Sequence, residues 1–245
     1  MAEKCSIRLD VPSYMVDRRY LLRPGSFMDL AQEMAMIGAR EHSFGDDRLA
    51  AHSSVWVLAR MQVRFLRPVR REDKVCMSTW HKGVQGVFFV RDYSLDGEDG
   101  QPSVVSTSSW IVMDINTRRA VRSDRLTDII PTEAESTDNA VEELAPKVAL
   151  PRGSEPVKAA SKRICYSDVD YNHHANNAKY VVWAMDCLPD ETVYGHSVKE
   201  LSINFNKEAR PGETVDLYTL ESDGAWYVEG RIQDQQIFIV RLVFD

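Results

Sequence analysis

The segment Met61-Gln-Val63-Arg-Phe65-Leu-Arg67 lies on Leu201-Ser-Ile203-Asn-Phe205-Asn-Lys207 with apolar residues matched at alternate positions. The match runs without a gap to Val75 and Val215. Val87-Phe-Phe-Val-Arg91 and Trp226-Tyr-Val-Glu-Gly230 follow at nearly the same offset, and an apolar run succeeds each. A chain that restarts its pattern after about 140 residues builds one kind of unit twice. Each half offers a strand, one long helix and a four-strand meander. One helix per sheet is most economically used by wrapping each antiparallel sheet around it, an α+β architecture.

In the first half, Ile7 to Tyr20 reads as an entering strand. Pro24-Gly25 stops it before Ser26, a helix cap with Asp29 three residues on. Phe27, Leu30, Ala31, Met34, Ile37 and Gly38 recur at helical spacing, with small and flexible residues where a helix would press on a sheet. Val55 to Leu66, Lys74 to Lys82, Val87 to Leu95 and Ser103 to Asp114 carry the β-branched and aromatic clusters of strands, broken by turn signals such as Asp96-Gly97. Leu126 to Pro156 turns acidic and small, with Glu133, Glu135, Asp138, Glu142 and Glu143, and reads as a solvated linker. In the second half, Asn176-Asn177 can cap a helix that runs through Tyr180, Val181, Trp183, Ala184 and Cys187 to Leu188, where Pro189 ends it.

The densest chemistry sits just before that helix, in Ser167-Asp-Val-Asp-Tyr-Asn-His-His-Ala-Asn-Asn-Ala-Lys-Tyr-Val-Val-Trp183. Asp170, Asn172 and His174 fall at every second position, so an extended backbone puts acid, amide and imidazole on one face. A straight strand would separate Asp170 and His174 by about 13 Å at about 3.3 Å per residue, too far to share one reacting bond. The segment must curl, or the groups divide the work. Carboxylate, amide and imidazole beside a helix N-terminus suit activation of water against an electrophilic carbonyl, with the helix end favouring the developing oxyanion. The same residues also suit a hydrogen-bonded turn in which Asp168 and Asn172 serve backbone groups.

Other chemistries find less support. Asp168-x-Asp170-x-Asn172 opens like a calcium loop, but His173 stands where glycine is needed and Lys179 where glutamate is needed. The adjacent His173 and His174 face opposite sides of an extended chain, and no HExxH or CxxC pair completes a zinc site. Cys165 and Cys187 read as packing residues rather than nucleophiles, and no nucleophile elbow, P-loop or dinucleotide fingerprint occurs. No metal or cofactor is implied. A net charge of -7 argues against a general nucleic-acid binder, and 44% hydrophobic residues suffice for a real core. No apolar run reaches membrane-span length and Met1 to Asp10 lacks a signal-peptide core, so a cytoplasmic protein is expected, its four cysteines as free thiols.

Ser167-Asp-x-Asp-x-Asn-x-His-x-Asn-Asn-x-Lys-Tyr-x-x-Trp183 resembles the signature of the acyl-ACP thioesterases, which release fatty acids from acyl carrier protein (ACP). Trp56-Val-Leu-Ala-Arg60, Thr79-Trp80, Arg91-Asp92-Tyr93, Ser108-Ser109-Trp110 and Asp114-Ile-Asn-Thr-Arg-Arg119 resemble further family motifs in family order. The resemblance implies two tandem hotdog domains: 1–125 housing the acyl tail, 126–156 an acidic linker, and 157–245 carrying catalysis. It implies a hydrolase that ends chain elongation in fatty acid biosynthesis. The catalytic set maps onto Asp170, Asn172 and His174, joined by Glu208 on the second domain's next strand. Glu208 would activate water, Asp170 orient and charge-balance His174, with exchange of roles between these two carboxylates left open, while His174 would position the water or protonate the thiolate and Asn172 hold the carbonyl or the water. Many plant members follow that glutamate with a cysteine; here Ala209 follows, so a thiolate mechanism through that position is closed.

The short N-terminus suggests a bacterial-type member. Met28, Met34, Met36 and Ile37 are expected to line the acyl tunnel, thioethers being adaptable to alkyl tails. The acidic carrier is expected to dock on arginines chosen from Arg67, Arg70, Arg71, Arg118, Arg119 and Arg122, with Arg118 and Arg119 foremost. Two alternatives stand beside this reading: an acyl-CoA thioesterase, and a non-catalytic double hotdog that only binds acyl chains. A homodimer is compatible with the sequence but not implied by it.

Overall fold

The computed structural model describes residues 4–126, 130 and 135–245. Contacts divide it into two compact units, Met1–Leu22 with Leu30–Ala145 and Arg23–Asp29 with Pro146–Asp245.

The first unit holds β1 (Cys5–Asp10), α1 (Pro24–Glu41), the short α2 (Asp46–Ala50), β2 (Ser54–Phe65), β3 (Lys74–Gln85), β4 (Phe88–Gly97) and β5 (Pro102–Asp114). Its sheet is antiparallel in the order β1-β3-β4-β5-β2, with Thr79 opposite Tyr93 and Arg91 opposite Ser108. Met34, Met77, Tyr93, Leu95 and Val104 are buried between helix and sheet positions. Gly38 is the close approach: a Cβ there would come within 2.9 Å of Arg91 Nη1 and 3.3 Å of Thr79 Cγ2. The helix presses on the sheet where the sequence supplies no side chain.

The second unit holds β6 (Val157–Arg163), α3 (Asn177–Asp186), α4 (Asp190–Gly195), β7 (Val198–Phe205), β8 (Thr214–Ser222), β9 (Ala225–Ile232) and β10 (Gln235–Phe244). Its sheet order is β6-β8-β9-β10-β7, strand for strand the order of the first. The repeat read from the sequence is therefore a repeat of topology. Tyr180 and Trp183 of α3 are buried, and the Tyr180 ring packs against Trp183 at 5.1 Å and Phe238 at 4.9 Å between centroids. The opening turn of α1 belongs to this unit: a Cβ on Gly25 would meet Val182 Cγ2 of α3 at 2.7 Å.

Four expectations need correction. The four-strand meander is not what forms: β2 pairs with β5 rather than β3, and β7 with β10 rather than β8. The entering strand stops at Asp10, not Tyr20, because Pro12 starts a 3-10 turn over Ser13–Met15. Helix α1 begins at Pro24 and takes Ser26 into its first turn; proline suits a helix's first position, where its missing N–H has no partner to lose. Last, within the stretch read as a solvated linker, the described residues from Glu135 to Val148 are not freely solvated. Glu133 lies outside the described residues, and Glu135, Asp138, Glu142 and Glu143 are exposed as expected. The backbone around them is nevertheless tied down. Ser136 N donates to His81 O, Trp80 Nε1 to Asp138 O, and Ala140 and Val141 N to the Asp92 carboxylate. Further along, Asn204 brackets Val148 with two hydrogen bonds. Val141, Ala145 and Val148 are buried, so the small residues taken as a sign of solvation are the packing contacts.

Candidate active site

Ile164 leaves β6 and a 3-10 turn follows over Tyr166–Asp168. Asp168 is 4% exposed, its carboxylate accepting from Cys165 N at 2.9 Å and facing Lys162 Nζ at 3.2 Å. This acid builds the turn. Next, Val169 and Ala175 form an antiparallel bridge, Asp170 N donates to His174 O (3.0 Å), and His173 N donates to Asp170 O (3.1 Å). His173 closes the hairpin with φ at 63°, in the left-handed region that favours glycine or a polar residue. The segment curls. Asp170 Oδ1 and His174 Nδ1 come to 3.8 Å rather than the separation of a straight strand.

His174 Nδ1 lies 3.1 Å from Ala175 O. A carbonyl only accepts, so Nδ1 carries the hydrogen and Nε2 keeps the lone pair that takes a proton. Asp170 Oδ1 also accepts from Asn172 N at 2.9 Å, which holds the carboxylate in place. The Asp170 side chain is 8% exposed, that of His174 21%, and Asn172 is exposed.

Glu208 lies in the loop between β7 and β8 rather than on the expected strand, and it reaches this turn through the backbone. Ala175 N donates to Ala209 O at 2.8 Å, so the residues following His174 and Glu208 are hydrogen-bonded to each other. The Glu208 side chain is 29% exposed, with Arg210 Nη2 at 3.9 Å. Ala209 N in turn donates to the Tyr180 hydroxyl of α3 at 3.1 Å. Burial, reinforced by the charges of Glu208, Asp170 and Glu213 against the hydrogen bond from Ala209, pushes the Tyr180 phenol up to about 12. Tyr180 was legible in the sequence only as a core aromatic; its polar tip on a buried helix face was the overlooked signal.

The helix N-terminus is capped as expected, which narrows what it offers an oxyanion. Asn176 caps α3, its side chain accepting from Ala178 N at 2.8 Å and its carbonyl from Lys179 N. Those two donors are occupied, so what they offer an oxyanion is the helix dipole rather than free N–H groups.

Of the proposed tunnel residues, Met28 and Met34 are buried while Met36 and Ile37 are half-buried. All four lie on α1, with Met28 in the second unit and the other three in the first. The arginines do not form one patch. Arg67 sits beside the start of β5, held by Asp99 at 2.7 Å, and Arg71 pairs with Glu72 at 3.0 Å. Arg118 and Arg119 are exposed on the turn after β5, built on Asp114 Oδ1, which accepts from Asn116 and Thr117 N. A strand of 13 residues separates the two groups by about 40 Å.

Residues 3–129 match the acyl-ACP thioesterase N-terminal domain and residues 153–237 the acyl-ACP thioesterase C-terminal domain. The chain belongs to the acyl-ACP thioesterase family. Among its relatives is oleoyl-acyl carrier protein thioesterase 1, chloroplastic, of Arabidopsis thaliana, 26% identical over 226 residues that cover 85% of this chain and 61% of that protein. This chain thus spans less than two thirds of such relatives. The 12:0-ACP thioesterase from Umbellularia californica superposes with a TM-score of 0.85 or better, namely 0.89, at 19% identity over 98% of this chain and 96% of that one. An acyl-ACP thioesterase from Bacteroides thetaiotaomicron gives 0.85 at 21% identity over 98% and 97%. At these identities the likeness is one of fold, and both units are hotdog domains. No helix among the described residues is long and apolar enough to cross a membrane.

Proposed function

We propose that this protein hydrolyses the thioester of fatty acyl-acyl carrier protein, water and acyl thioester giving a free fatty acid and the carrier's thiol. The observation that carries the reading is the curled turn that sets Asp170 3.8 Å from His174, with Glu208 tied alongside through Ala175 and Ala209. Glu208 takes a proton from water as it attacks the carbonyl. Asp170 orients His174, whose Nε2 positions the water or, once protonated, supplies the hydrogen to the leaving thiolate. Asn172 steadies the carbonyl or the water by hydrogen bonding. A thioester is electrophilic and its thiolate leaves readily, so acid–base help worth roughly 10²- to 10⁴-fold suffices without a cofactor. The same reading puts the protein in the cytoplasm with its soluble carrier.

Purified protein incubated with matched acyl-ACP and acyl-CoA, with free thiol counted, tests it. Faster release from acyl-ACP is expected. Preference for acyl-CoA would reassign the carrier, and binding without thiol release would reduce the protein to an acyl-binding one. Arg118 and Arg119 serve as the carrier contact in this reading. Reversing both to Glu is expected to raise KM for acyl-ACP severalfold at low salt and to flatten its salt dependence, because steering between opposite charges is screened by ions; an unchanged KM removes that turn from the docking surface. In the acyl-tail role, Met34→Trp fills buried space on α1 and is expected to shift product chain length, read by chromatography of the released acids.

A further inference from the structure

We infer that Tyr180 is a positioning residue for this site, its hydroxyl clamping the Glu208–Ala209 segment to α3 so that Glu208 keeps its register against the Asp170–His174 turn. The inference rests on the proposed hydrolysis.

Two hydrogen bonds carry it. Ala209 joins the two sides of the site: its carbonyl accepts from Ala175, next to His174, and its N–H donates to Tyr180 Oη. Ala209 is fully buried, so no water replaces the phenol as acceptor. Tyr180 itself is held rigidly, 2% exposed, with Trp183, Phe205 and Phe238 packed around its ring at 5.1, 5.9 and 4.9 Å. The helix that begins at the cap Asn176 therefore anchors the catalytic turn at one end and, one turn later through Tyr180, the β7–β8 loop that bears Glu208. Only a tyrosine of this length does both, since phenylalanine fills the same ring space and drops the acceptor. Having accepted from Ala209, the hydroxyl still has its own hydrogen to donate. The phenol stays neutral through the working range, so it remains an O–H and not a competing anion.

Tyr180→Phe tests the clamp beside two references, Glu208→Gln for the reaction and Phe238→Leu for packing under the same ring. Tyr180→Phe is expected to lower kcat for acyl-ACP at least 10-fold with KM within twofold, and to speed amide hydrogen exchange at Ala209 at least 10-fold. Phe238→Leu is expected to lower the thermal midpoint at least as much while kcat stays within threefold. Tyr180→Phe with near wild-type kcat beside an inactive Glu208→Gln would overturn the clamp and leave the hydrolase reading standing. Equal losses of kcat in Tyr180→Phe and Phe238→Leu would overturn it too, reducing Tyr180 to core packing. An active Glu208→Gln would instead sink the underlying mechanism, and that failure is visible without reference to Tyr180.

Discussion

Glu208→Gln is expected to cut kcat/KM for acyl-ACP by about 10²- to 10⁴-fold, the range that a positioned base contributes, while the protein stays folded. The substitution keeps the shape of the side chain and removes its ability to accept a proton. The Glu208 side chain is 29% exposed and its ion pair with Arg210, itself 67% exposed, spans 3.9 Å, so the loss of that pair costs at most about 1 kcal/mol. The backbone bond from Ala175 to Ala209 does not involve the side chain and survives. A loss of activity with an unchanged unfolding midpoint therefore reports chemistry. His174→Ala and Asp170→Asn belong in the same measurement, since the first removes the imidazole and the second leaves the carboxyl group 3.8 Å from it uncharged. Rates near wild type in all three would reject the site.

The succession of strands along the chain was legible because it follows from hydrophobic alternation, which is local, repeated over two halves of one chain; their order in the sheet was not, since β2 closes on β5 and β7 on β10 through contacts distant in sequence. The match of Met61–Arg67 to Leu201–Lys207 makes β2 and β7 equivalent, and the remaining strands of each half succeed them along the chain. Gly38 was legible for the same reason: on a buried helix face its missing side chain has one use. The Asp170–His174 encounter was half legible. Spacing gave the shared face and the need to curl, but the curl itself depends on a positive φ at His173, a residue whose name does not announce it. What stayed hidden are contacts closed by distant chain. Asp92 reads as a polar position on an alternating strand, yet it accepts from Ala140 and Val141, 48 and 49 residues on. The charges between Leu126 and Pro156 suggested solvent because side chains advertise polarity, whereas it is backbone amides that fasten the stretch. The arginine patch failed for the converse reason: proximity in sequence or in family motif says nothing of the two ends of a long strand.

Asp92 also yields the largest expected change in stability. Its side chain is 0% exposed and Lys82 Nζ, 5% exposed, stands 3.2 Å from Oδ2. The same oxygen accepts from Ala140 N at 2.8 Å and Val141 N at 3.1 Å, while Lys82 Nζ donates to Val141 O at 2.6 Å. Asp92 Oδ1 has no hydrogen-bond partner among the described residues, so the pair is imperfectly compensated and its net contribution to folding is modest. Breaking it is another matter. Asp92→Ala strands a buried ammonium and two buried amides, and removal of one partner from a buried ion pair costs about 3–5 kcal/mol. With about 2–4 °C lost per kcal/mol in domains of this size, the unfolding midpoint of the first unit is expected to fall by about 10 °C. Asp92→Ala combined with Lys82→Met removes both charges and is expected to recover part of the loss, because apolar replacements of a buried pair are often neutral. Calorimetry of the parent and the two variants decides the matter. A double variant no better than Asp92→Ala would show that the anchored amides of Ala140 and Val141, and not the charge on Lys82, carry the cost; a single variant within about 1 kcal/mol of the parent would show that water enters and that the pair is not buried in solution.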